Sequence, residues 1–310
     1  MRSAKLPRPG RGMNMKRIAV LDIGGTAMKS GIFCGGELLQ TGETASEAGL
    51  GGEHVMKRAQ ELLLRMQEDG FDAVGISTAG QVERETGRIR YANSNIPGYT
   101  GMPVKERIEQ MFGKPAAVVN DVNAAAIGEG RFGAGRGYSD YLCLTYGTGV
   151  GGAIVMNGRL YSGSAGSAGE FGAMVIHGSG AGGSDPFAGC YERYASVTAL
   201  VSRARMLDSE LDSGRKIFAR LTEPDVKGLV DAWIDEIALG LRSLIHIFNP
   251  PCVILGGGVM EQPYLFGQAA ERTMQSIMPG FRNVRIVPAE LKNTAGLLGA
   301  AALAEELVQD

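Results

Sequence analysis

The sequence RIAVLDIGGTAMKSGIFC, residues 17–34, contains two apolar runs separated by a pair of glycines. The first run, 17–23, has the length and the aliphatic content of a buried strand, and a second strand is predicted near 27–34. Another glycine pair at 35–36 and a third strand near 37–44 follow. Short glycine turns between successive strands predict an antiparallel meander at the start of the fold.

The same plan recurs later in the chain. A strand at 141–146 runs into the turn GTGVGG at 147–152, and a hairpin at 153–161 follows, turning at Asn157-Gly158. The other predicted elements are helices near 53–68, 103–112, 123–130, 190–207, 223–247, 262–278 and 295–307, strands at 73–77, 116–120 and 285–289, a strand followed by a glycine turn at 252–258, and a small hairpin at 82–90. The pattern predicts two α/β halves of similar plan with a ligand cleft between them.

The boundary between the halves is predicted near residue 121, where one strand ends and the next helix begins. The predicted N-terminal α/β domain comprises residues 16–120 and is closed by the C-terminal helix 293–307. The predicted C-terminal α/β domain comprises residues 121–292.

The composition is that of a folded protein without a large excess of charge. Hydrophobic residues make up 44% of the 310 residues, and 31 Lys and Arg stand against 33 Asp and Glu, a net charge of -2. We therefore expect no global positive field that would hold nucleic acid or an anionic membrane. No apolar run has the length of a membrane span. The four cysteines are scattered without a CxxC pair, which predicts a reducing, cytoplasmic environment.

The start of the sequence differs from the rest. Residues 1–15 are predicted to be a disordered extension, because residues 1–14 carry four basic residues, no acidic residue and no apolar pattern. A basic arm for a polyanion is an alternative interpretation. A natural start at Met13 or Met15 is another.

The first candidate site is the turn Asp22-Ile-Gly24-Gly25-Thr26, followed by Lys29. The two glycines let phosphate oxygens approach backbone N–H groups, and the threonine adds a hydroxyl donor. Asp22, at the end of a strand, could hold a water on Mg²⁺. The motif is neither a Walker A loop nor a GxGxxG motif, so a P-loop or Rossmann site is excluded. The alternative is an ordinary hairpin turn.

Two further glycine clusters lie in the second half. The candidates in its first turn are Gly147, Thr148, Gly149 and Gly151. This turn repeats the chemistry of the first, and two such turns facing one cleft could hold a polyphosphate from both sides. The other cluster is Gly256, Gly257 and Gly258, at the end of an apolar strand. It is either a site of close strand–helix packing or a floor for a flat ring such as adenine.

The pair Asn120-Asp121 ends a predicted strand and begins a helix. An aspartate at this position is commonly a helix N-cap. The alternative is a general base at the mouth of the cleft, which would take the proton from a substrate hydroxyl as that hydroxyl attacks a γ-phosphate.

These motifs together resemble the ROK family of repressors, uncharacterised reading frames and kinases. The resemblance rests on DIGGT with Lys29, NDVN at 120–123 and GTGVGG, in that order. It is extended by GSAGSAGEFG at 163–172 and GCYERYAS at 189–196, and it covers residues 17–305. It implies an α/β, two-domain actin/hexokinase-like (ribonuclease H-like) fold with a cleft between the domains.

The resemblance also implies roles for individual residues. Asp121 would be the catalytic base, the first two glycine turns would cradle the ATP phosphates, and Gly256 to Gly258 would lie near the adenosine. The implied sugar-binding residues are Gly80, Asn95, Asn120, Asp121, Glu170 and Glu192. Carboxylates and amides suit this task because each sugar hydroxyl both donates and accepts hydrogen bonds.

The implied activity is the phosphorylation of a sugar hydroxyl by ATP with Mg²⁺, at O6 of a hexose or hexosamine of the glucose or N-acetylmannosamine type. The resemblance further implies a homodimer that binds neither nucleic acid nor a membrane. One alternative is a β-glucoside kinase of a zinc-free branch. Another is a non-catalytic sugar-binding protein or transcriptional regulator of the same family. Only 21 residues precede Asp22, which is too few for the helix-turn-helix domain of the family's repressors.

The zinc motif of the family is incomplete here. Ala173 stands where the family has a histidine, and Gly183 and Asp185 stand where it has cysteines, so Cys190 alone is kept. Adding the nearby His177 makes two ligands, whereas structural zinc takes four. We therefore predict no structural zinc, Mg²⁺ held only through ATP, and a comparatively mobile loop at 178–184.

Overall fold

The computed structural model describes residues 15–178, 184–185 and 187–309. Most of the predicted extension 1–15 and most of the predicted mobile loop 178–184 lie outside the described residues. Met15 is described, and its thioether lies against Gly35 in the turn between the second and third strands. Among the described residues, no helix is both long enough and apolar enough to cross a lipid bilayer.

The first half of the chain forms a five-stranded mixed sheet. Its elements in chain order are β1 (Arg17–Ile23), β2 (Ala27–Cys34), β3 (Glu37–Ala45), α1 (Gly52–Gln67), β4 (Ala73–Thr78), β5 (Gln81–Val82), β6 (Ile89–Tyr91), α2 (Val104–Phe112) and β7 (Ala116–Asn120). The strand order in the sheet is β3-β2-β1-β4-β7, while β5 and β6 form a separate hairpin. The first three strands form the predicted antiparallel meander, and β4 and β7 run parallel to β1.

The second half repeats this plan. Its elements are α3 (Asp121–Phe132), β8 (Tyr141–Tyr146), β9 (Val150–Met156), β10 (Arg159–Leu160), α4 (Glu192–Ala195), α5 (Val197–Leu207), α6 (Gly214–Ala219), α7 (Pro224–Phe248), β11 (Cys252–Gly256), α8 (Pro263–Ser276), β12 (Arg285–Pro288) and α9 (Ala295–Glu306). The strand order β10-β9-β8-β11-β12 matches the first sheet position by position, with the last two strands parallel to β8. The two predicted rounds of strands are therefore two sheets of one plan.

The last helix belongs to the first sheet rather than the second. Leu297, Leu298 and Ala301 of α9 share a buried apolar cluster with Ile18 and Val20 of β1. On its other side α9 crosses α3 closely, because a Cβ added at Gly299 would lie 1.8 Å from the carbonyl oxygen of Ala124. This close approach explains the small residues in both helices and places α3 and α9 together between the sheets.

The structure corrects three predicted elements. The turn predicted at 147–152 ends at 149, because Val150, Gly151 and Gly152 are already paired with β8. The helix predicted over 190–207 is interrupted at Ser196, whose extended backbone and side-chain oxygen cap α5 through the N–H of Ala199. The short helix α6 is not predicted at all.

Candidate active site

The parallel strands β1, β4 and β7 end at one edge of the first sheet, and polar residues lie at the end of each strand. Asp22 pairs in register with Ser77, and Thr78 pairs with Asn120. The Ser77 hydroxyl donates to Asp22 Oδ1 over 2.6 Å. Asp22 Oδ2 lies 3.8 Å from Lys29 Nζ. Parallel register thus brings residues from distant parts of the chain to one edge, where ligands bind in open α/β sheets.

Asn120, not Asp121, is the N-cap of α3. Its backbone is extended, and its Oδ1 accepts from the N–H groups of Val122 and Asn123 at 3.0 and 3.1 Å. Its Nδ2 donates to Gly80 O at 3.0 Å and to Asp121 Oδ1 at 2.9 Å. The N-cap is therefore Asn120 rather than Asp121. Asp121 Oδ1 accepts from the Val122 N–H at 2.9 Å, and the other carboxylate oxygen of Asp121 has no part in the cap.

The electrostatic setting of Asp121 is unusual for an aspartate. Burial raises the pKa of Asp121 to about 6, and the negative charge of Asp22 adds to the effect. Hydrogen bonds from Val122 N–H and from the Asn120 amide oppose the shift without cancelling it. A carboxylate whose pKa lies close to neutral pH is ionised at pH 7 yet accepts a proton readily, which suits a general base.

The first glycine turn is short and open. The N–H of Gly24 donates to Ala27 O at 3.0 Å and closes the hairpin between β1 and β2. Gly25 and Thr26 are exposed at its tip. A Cβ added at Gly25 would meet no heavy atom within 4 Å. The Lys29 ammonium does not extend into this open space, because it donates to the carbonyl oxygen of Asn293 at 3.2 Å.

The second glycine turn is enclosed by its neighbours. The N–H of Gly147 donates to Gly149 O at 3.0 Å, and the exposed Thr148 forms the tip. A Cβ added at Gly149 would lie 2.7 Å from Glu192 Oε2. One added at Gly151 would lie 2.5 Å from Val122 Cγ2. The glycines therefore allow Glu192 and the start of α3 to lie directly beside the turn.

The predicted sugar-binding residues are connected by a chain of contacts. Gly80, which accepts from Asn120, has a left-handed backbone with φ +95° and precedes Gln81. Gln81 Nε2 donates to Glu170 Oε1 at 3.1 Å, which joins the two halves of the chain. Two residues beyond Glu170, a Cβ added at Gly172 would lie 3.1 Å from Glu192 Oε2. Glu170, Glu192 and Asn120 therefore lie around one region of the cleft.

Asn95 stands apart from this chain of contacts. It lies on an exposed turn after β6, where its backbone N–H donates to Asn93 Oδ1 at 3.1 Å. Its predicted role in sugar binding stays a prediction.

The third glycine cluster lines a cavity of about 340 Å³. Gly257 has φ +94°, and a Cβ at this position would lie 2.1 Å from Tyr146 O, so the residue must be glycine both for its backbone and for its packing. The lining residues are Leu255, Gly256, Gly257, Gly258, Met260, Glu261, Pro263, Phe266, Pro288, Ala289, Lys292 and Asn293. Aliphatic and aromatic walls with a few polar groups at the rim suit a flat heterocycle.

The region of the incomplete zinc motif is held by protein contacts. His177 Nε2 lies 2.7 Å from Glu236 Oε2, and the imidazole packs against the Tyr194 ring at 4.3 Å between centroids. Asp185 lies 3.3 Å from the Arg193 guanidinium. Gly183 lies outside the described residues. Within the part of the chain that is described, no three His, Cys, Asp or Glu side chains cluster as metal ligands do.

The structure also identifies residues that the sequence analysis missed. Ser77 holds Asp22, Gln81 joins Glu170 to the first half, and Phe266 forms a wall of the cavity. The sequence contains no signal for Phe266. Ser77 and Gln81 flank a predicted strand end, and polar residues at such an end are a signal that could have been used.

Comparisons with known proteins agree with this architecture. The family model described as the ROK family matches residues 18–307. The glucokinase of Thermotoga maritima is 34% identical over 95% of this chain and 98% of its own. The beta-glucoside kinase of Listeria monocytogenes is 34% identical over 92% of this chain and 96% of its own.

Among solved structures, a ROK family glucokinase from Streptomyces griseus, in complex with glucose and AMPPNP, matches with a TM-score of 0.79 and 31% identity. The match covers 94% of this chain and 99% of that one. The two matched sheets have the actin/hexokinase-like architecture, which confirms the predicted fold class.

Proposed function

The chain belongs to the ROK family and is an ATP-dependent sugar kinase; from that premise we propose that it transfers the γ-phosphoryl group of ATP to the O6 hydroxyl of a hexose or hexosamine. The observation that carries the proposal is the carboxylate of Asp121, held by Asn120 at the cleft with its pKa raised to about 6. The matched structure with glucose and AMPPNP supports the assignment of the cleft to a sugar and a nucleotide.

In the proposed mechanism Asp121 accepts the proton of the attacking sugar hydroxyl. The O–H bond breaks as the oxygen attacks the γ-phosphorus, and the leaving group is ADP. Asn120 holds one oxygen of the carboxylate through Nδ2, so the other oxygen is free to accept the proton. Catalysis is mainly a matter of positioning and charge stabilisation, since the phosphoryl group itself needs little covalent assistance.

The two glycine turns are proposed to hold the phosphates from opposite sides. Their exposed threonines, Thr26 and Thr148, supply hydroxyl donors, and Gly25 leaves its backbone accessible. Asp22 would hold a Mg²⁺ ion through a bound water, because this ion keeps several of its waters and a carboxylate accepts hydrogen bonds from them. When bound with ATP, Mg²⁺ would neutralise charge on the phosphates.

The sugar is proposed to lie among Gly80, Asn95, Asn120, Glu170 and Glu192. The hydrogen bond between Gln81 and Glu170 links the two halves beside this region. We propose that closure of the two halves around the sugar excludes water, which would otherwise accept the phosphoryl group.

A β-glucoside is the second candidate substrate. Ala173 is small and exposed beside the segment that carries Glu170, so a side chain larger than a methyl group is absent from that wall. The match to a beta-glucoside kinase is consistent with a larger acceptor. A non-catalytic sugar-binding or regulatory protein of the family is the remaining alternative, and it predicts no turnover.

A coupled ATP/ADP assay over a sugar panel tests these alternatives. The panel is glucose, mannose, N-acetylglucosamine, N-acetylmannosamine and the β-glucoside cellobiose. ³¹P and ¹³C NMR of the product identify the phosphorylated oxygen. A 6-phosphate of a monosaccharide supports the proposal, a preference for cellobiose supports the second candidate, and no turnover of any sugar contradicts both.

We also propose that the active form is a homodimer in the cytoplasm. The family resemblance supports the dimer, and the near-neutral net charge and dispersed cysteines agree with a reducing compartment. Light scattering after size-exclusion chromatography measures the mass against 32.7 kDa per chain.

A further inference from the structure

Glu129 is a fully buried carboxylate near the C-terminal end of α3. Its exposed fraction is 0%, and none of the cations in the described residues is paired with it. Burying an ionised carboxylate is costly unless hydrogen bonds replace its water. A buried residue of this kind therefore needs a structural explanation.

Three backbone N–H groups supply those hydrogen bonds. Glu129 Oε2 accepts from Ala134 at 2.8 Å and from Glu290 at 3.2 Å, and Oε1 accepts from Leu291 at 2.8 Å. A Cβ added at Gly133 would lie 2.1 Å from Oε2, so this glycine provides the space for the carboxylate. Because two of the donors lie about 160 residues along the chain from Glu129, the carboxylate ties α3 to a distant segment.

That segment, residues 288–293, forms one wall of the 340 Å³ cavity, and we call it the cavity strap. Pro288, Ala289, Lys292 and Asn293 of the strap line the cavity together with the glycine cluster and Phe266. The strap has no regular secondary structure apart from the end of β12 and a single 3-10 turn. One backbone hydrogen bond, from Ala289 N–H to Leu255 O at 2.9 Å, holds the start of the strap, and side-chain contacts hold the residues after it.

Two further contacts fix the strap. Lys292 has a left-handed backbone with φ +49°, and its ammonium lies 3.3 Å from the carboxylate of Glu261, which also lines the cavity. Asn293 O accepts from Lys29 Nζ of β2. A non-glycine residue in this conformation persists only where its surroundings hold it, and the Glu129 hydrogen bonds to the preceding residues do so.

We propose that Glu129 is a positioning residue for nucleotide binding: through the N–H groups of Glu290 and Leu291 it holds the cavity strap in the shape that receives the adenosine of ATP. The inference rests on the proposed assignment of the cavity to adenosine. Asp121 and Glu129 lie eight residues apart on α3, about 12 Å at 1.5 Å per residue. The same helix thus connects the nucleotide wall with the proposed catalytic base.

The test is Glu129→Gln. An amide has one oxygen, so at least one of the three N–H donors loses its acceptor and faces an NH₂ group. We expect the KM for ATP and the Kd for ADP, measured by calorimetry, to rise about tenfold or more, as misplacement of a binding wall does. The KM for the sugar is expected to change less than about twofold, which a general loss of folding would not produce.

Glu109→Gln is the matched control. Glu109 Oε1 also accepts a backbone N–H, from Ala116 at 3.0 Å, but this contact joins α2 to β7 away from the cavity. We expect both KM values to stay near those of the wild type. If Glu109→Gln raised the KM for ATP as much as Glu129→Gln, the effect would be general and the proposal would be wrong.

Phe266→Ala separates failure of this inference from failure of the adenosine assignment. If Phe266→Ala raises the KM for ATP and Glu129→Gln does not, the strap proposal alone is overturned. If both leave it unchanged, the cavity does not bind adenosine and the proposed function loses that part.

A second pair of variants applies if Glu129→Gln does not fold. Lys292→Ala removes the ion pair but keeps the constrained backbone, whereas Lys292→Gly also frees it. We expect a higher Kd for ADP with glycine than with alanine. Equal values would overturn the proposal that the shape of the strap controls nucleotide binding.

Discussion

The two glycine turns at the cleft are alike in sequence and different in packing. In the first turn a Cβ added at Gly24 would lie 3.1 Å from Ala27 O, and one at Gly25 would meet nothing within 4 Å. In the second turn and the strand that follows it, Gly149, Gly151 and Gly152 would each place a Cβ within 2.7 Å of another residue.

The difference shows that glycine is needed for different reasons in the two turns. The second set is required by the protein itself, because Glu192, Val122 and Phe171 occupy the space where side chains would stand. Gly25 needs neither a left-handed backbone nor internal space. We infer that its open side is reserved for a ligand, so substitutions in the two turns should affect different properties.

Asp121→Asn should give the largest effect and sets the scale for the turn variants. The change keeps the size of the side chain but removes the base, and positioned acid–base groups typically contribute ~10²–10⁴-fold to the rate. We expect kcat to fall within that range while sugar binding, followed by calorimetry, largely survives.

Asp69→Asn is the matched control for this prediction, because Asp69 is an exposed aspartate just after the end of α1. It should leave kcat unchanged. A near-wild-type kcat in Asp121→Asn would show that Asp121 is only part of the helix start.

Gly152→Ala and Gly25→Ala test the comparison directly. The added methyl at 152 would lie 2.2 Å from Phe171 Cδ2 and 2.5 Å from Gly169 O, so we expect a loss of stability of about 1–3 kcal/mol or more. In Gly25→Ala the free energy of unfolding should stay within about 0.5 kcal/mol of the wild-type value. The KM for ATP should rise several-fold in Gly25→Ala, since a phosphate would meet the methyl group. Equal loss of stability in urea titrations of both variants would contradict the distinction between the turns.

The pH dependence of kcat/KM tests whether the carboxylate of Asp121 is the general base. With the pKa of Asp121 raised to about 6, kcat/KM should fall about tenfold per pH unit below pH 6. The pKa of Asp121 is higher in the folded protein than in the unfolded chain, so protonation of Asp121 stabilises the fold. This contribution to the free energy of unfolding is fully present below about pH 4 and is lost as the pH rises through 6. Wild-type protein should therefore gain stability, relative to Asp121→Asn, as the pH falls from 7 to 4. A flat rate profile down to pH 5 would exclude this base.

Of these experiments chelation should have the smallest effect, because we expect no change in activity or in Tm. The second turn lies beside Glu192 and the region where the family motif places zinc, whereas the first turn does not. Structural zinc sites are worth on the order of 10 kcal/mol, so removing one would loosen the second turn. We predict that EDTA treatment followed by Mg²⁺ leaves activity and Tm unchanged, and that elemental analysis finds no zinc. About one zinc per chain would overturn this prediction and implicate His177, Asp185 and Cys190.

Much of the fold was predictable because strands and turns have local causes. Apolar runs bounded by glycines located β1, β4, β8 and β11, and the Asn157-Gly158 turn located the β9–β10 hairpin. The errors lie where packing overrides the local signal. Gly151 and Gly152 were interpreted as turn residues, yet they are strand residues whose missing side chains make room for Val122 and Phe171.

The candidate site was predictable in its motifs but not in its connections. Asp22, Asp121 and the glycine turns stand out in the sequence because each lies at or just after the end of a strand. The hydrogen bond of Ser77 to Asp22 depends on the parallel register of β1 and β4, which no local pattern encodes. Glu129 gave no signal, because nothing in the neighbouring sequence shows that its partners are the N–H groups of Glu290 and Leu291.

The packing of α9 on the first sheet has a consequence for the order of events on the ribosome. β1 leaves the ribosome first, but α9, which covers Ile18 and Val20, is synthesised only after both sheets. Until then one face of the nascent first sheet is uncovered, and its apolar side chains are accessible to chaperones or to other nascent chains. The first half of this protein completes its folding last, although it is made first.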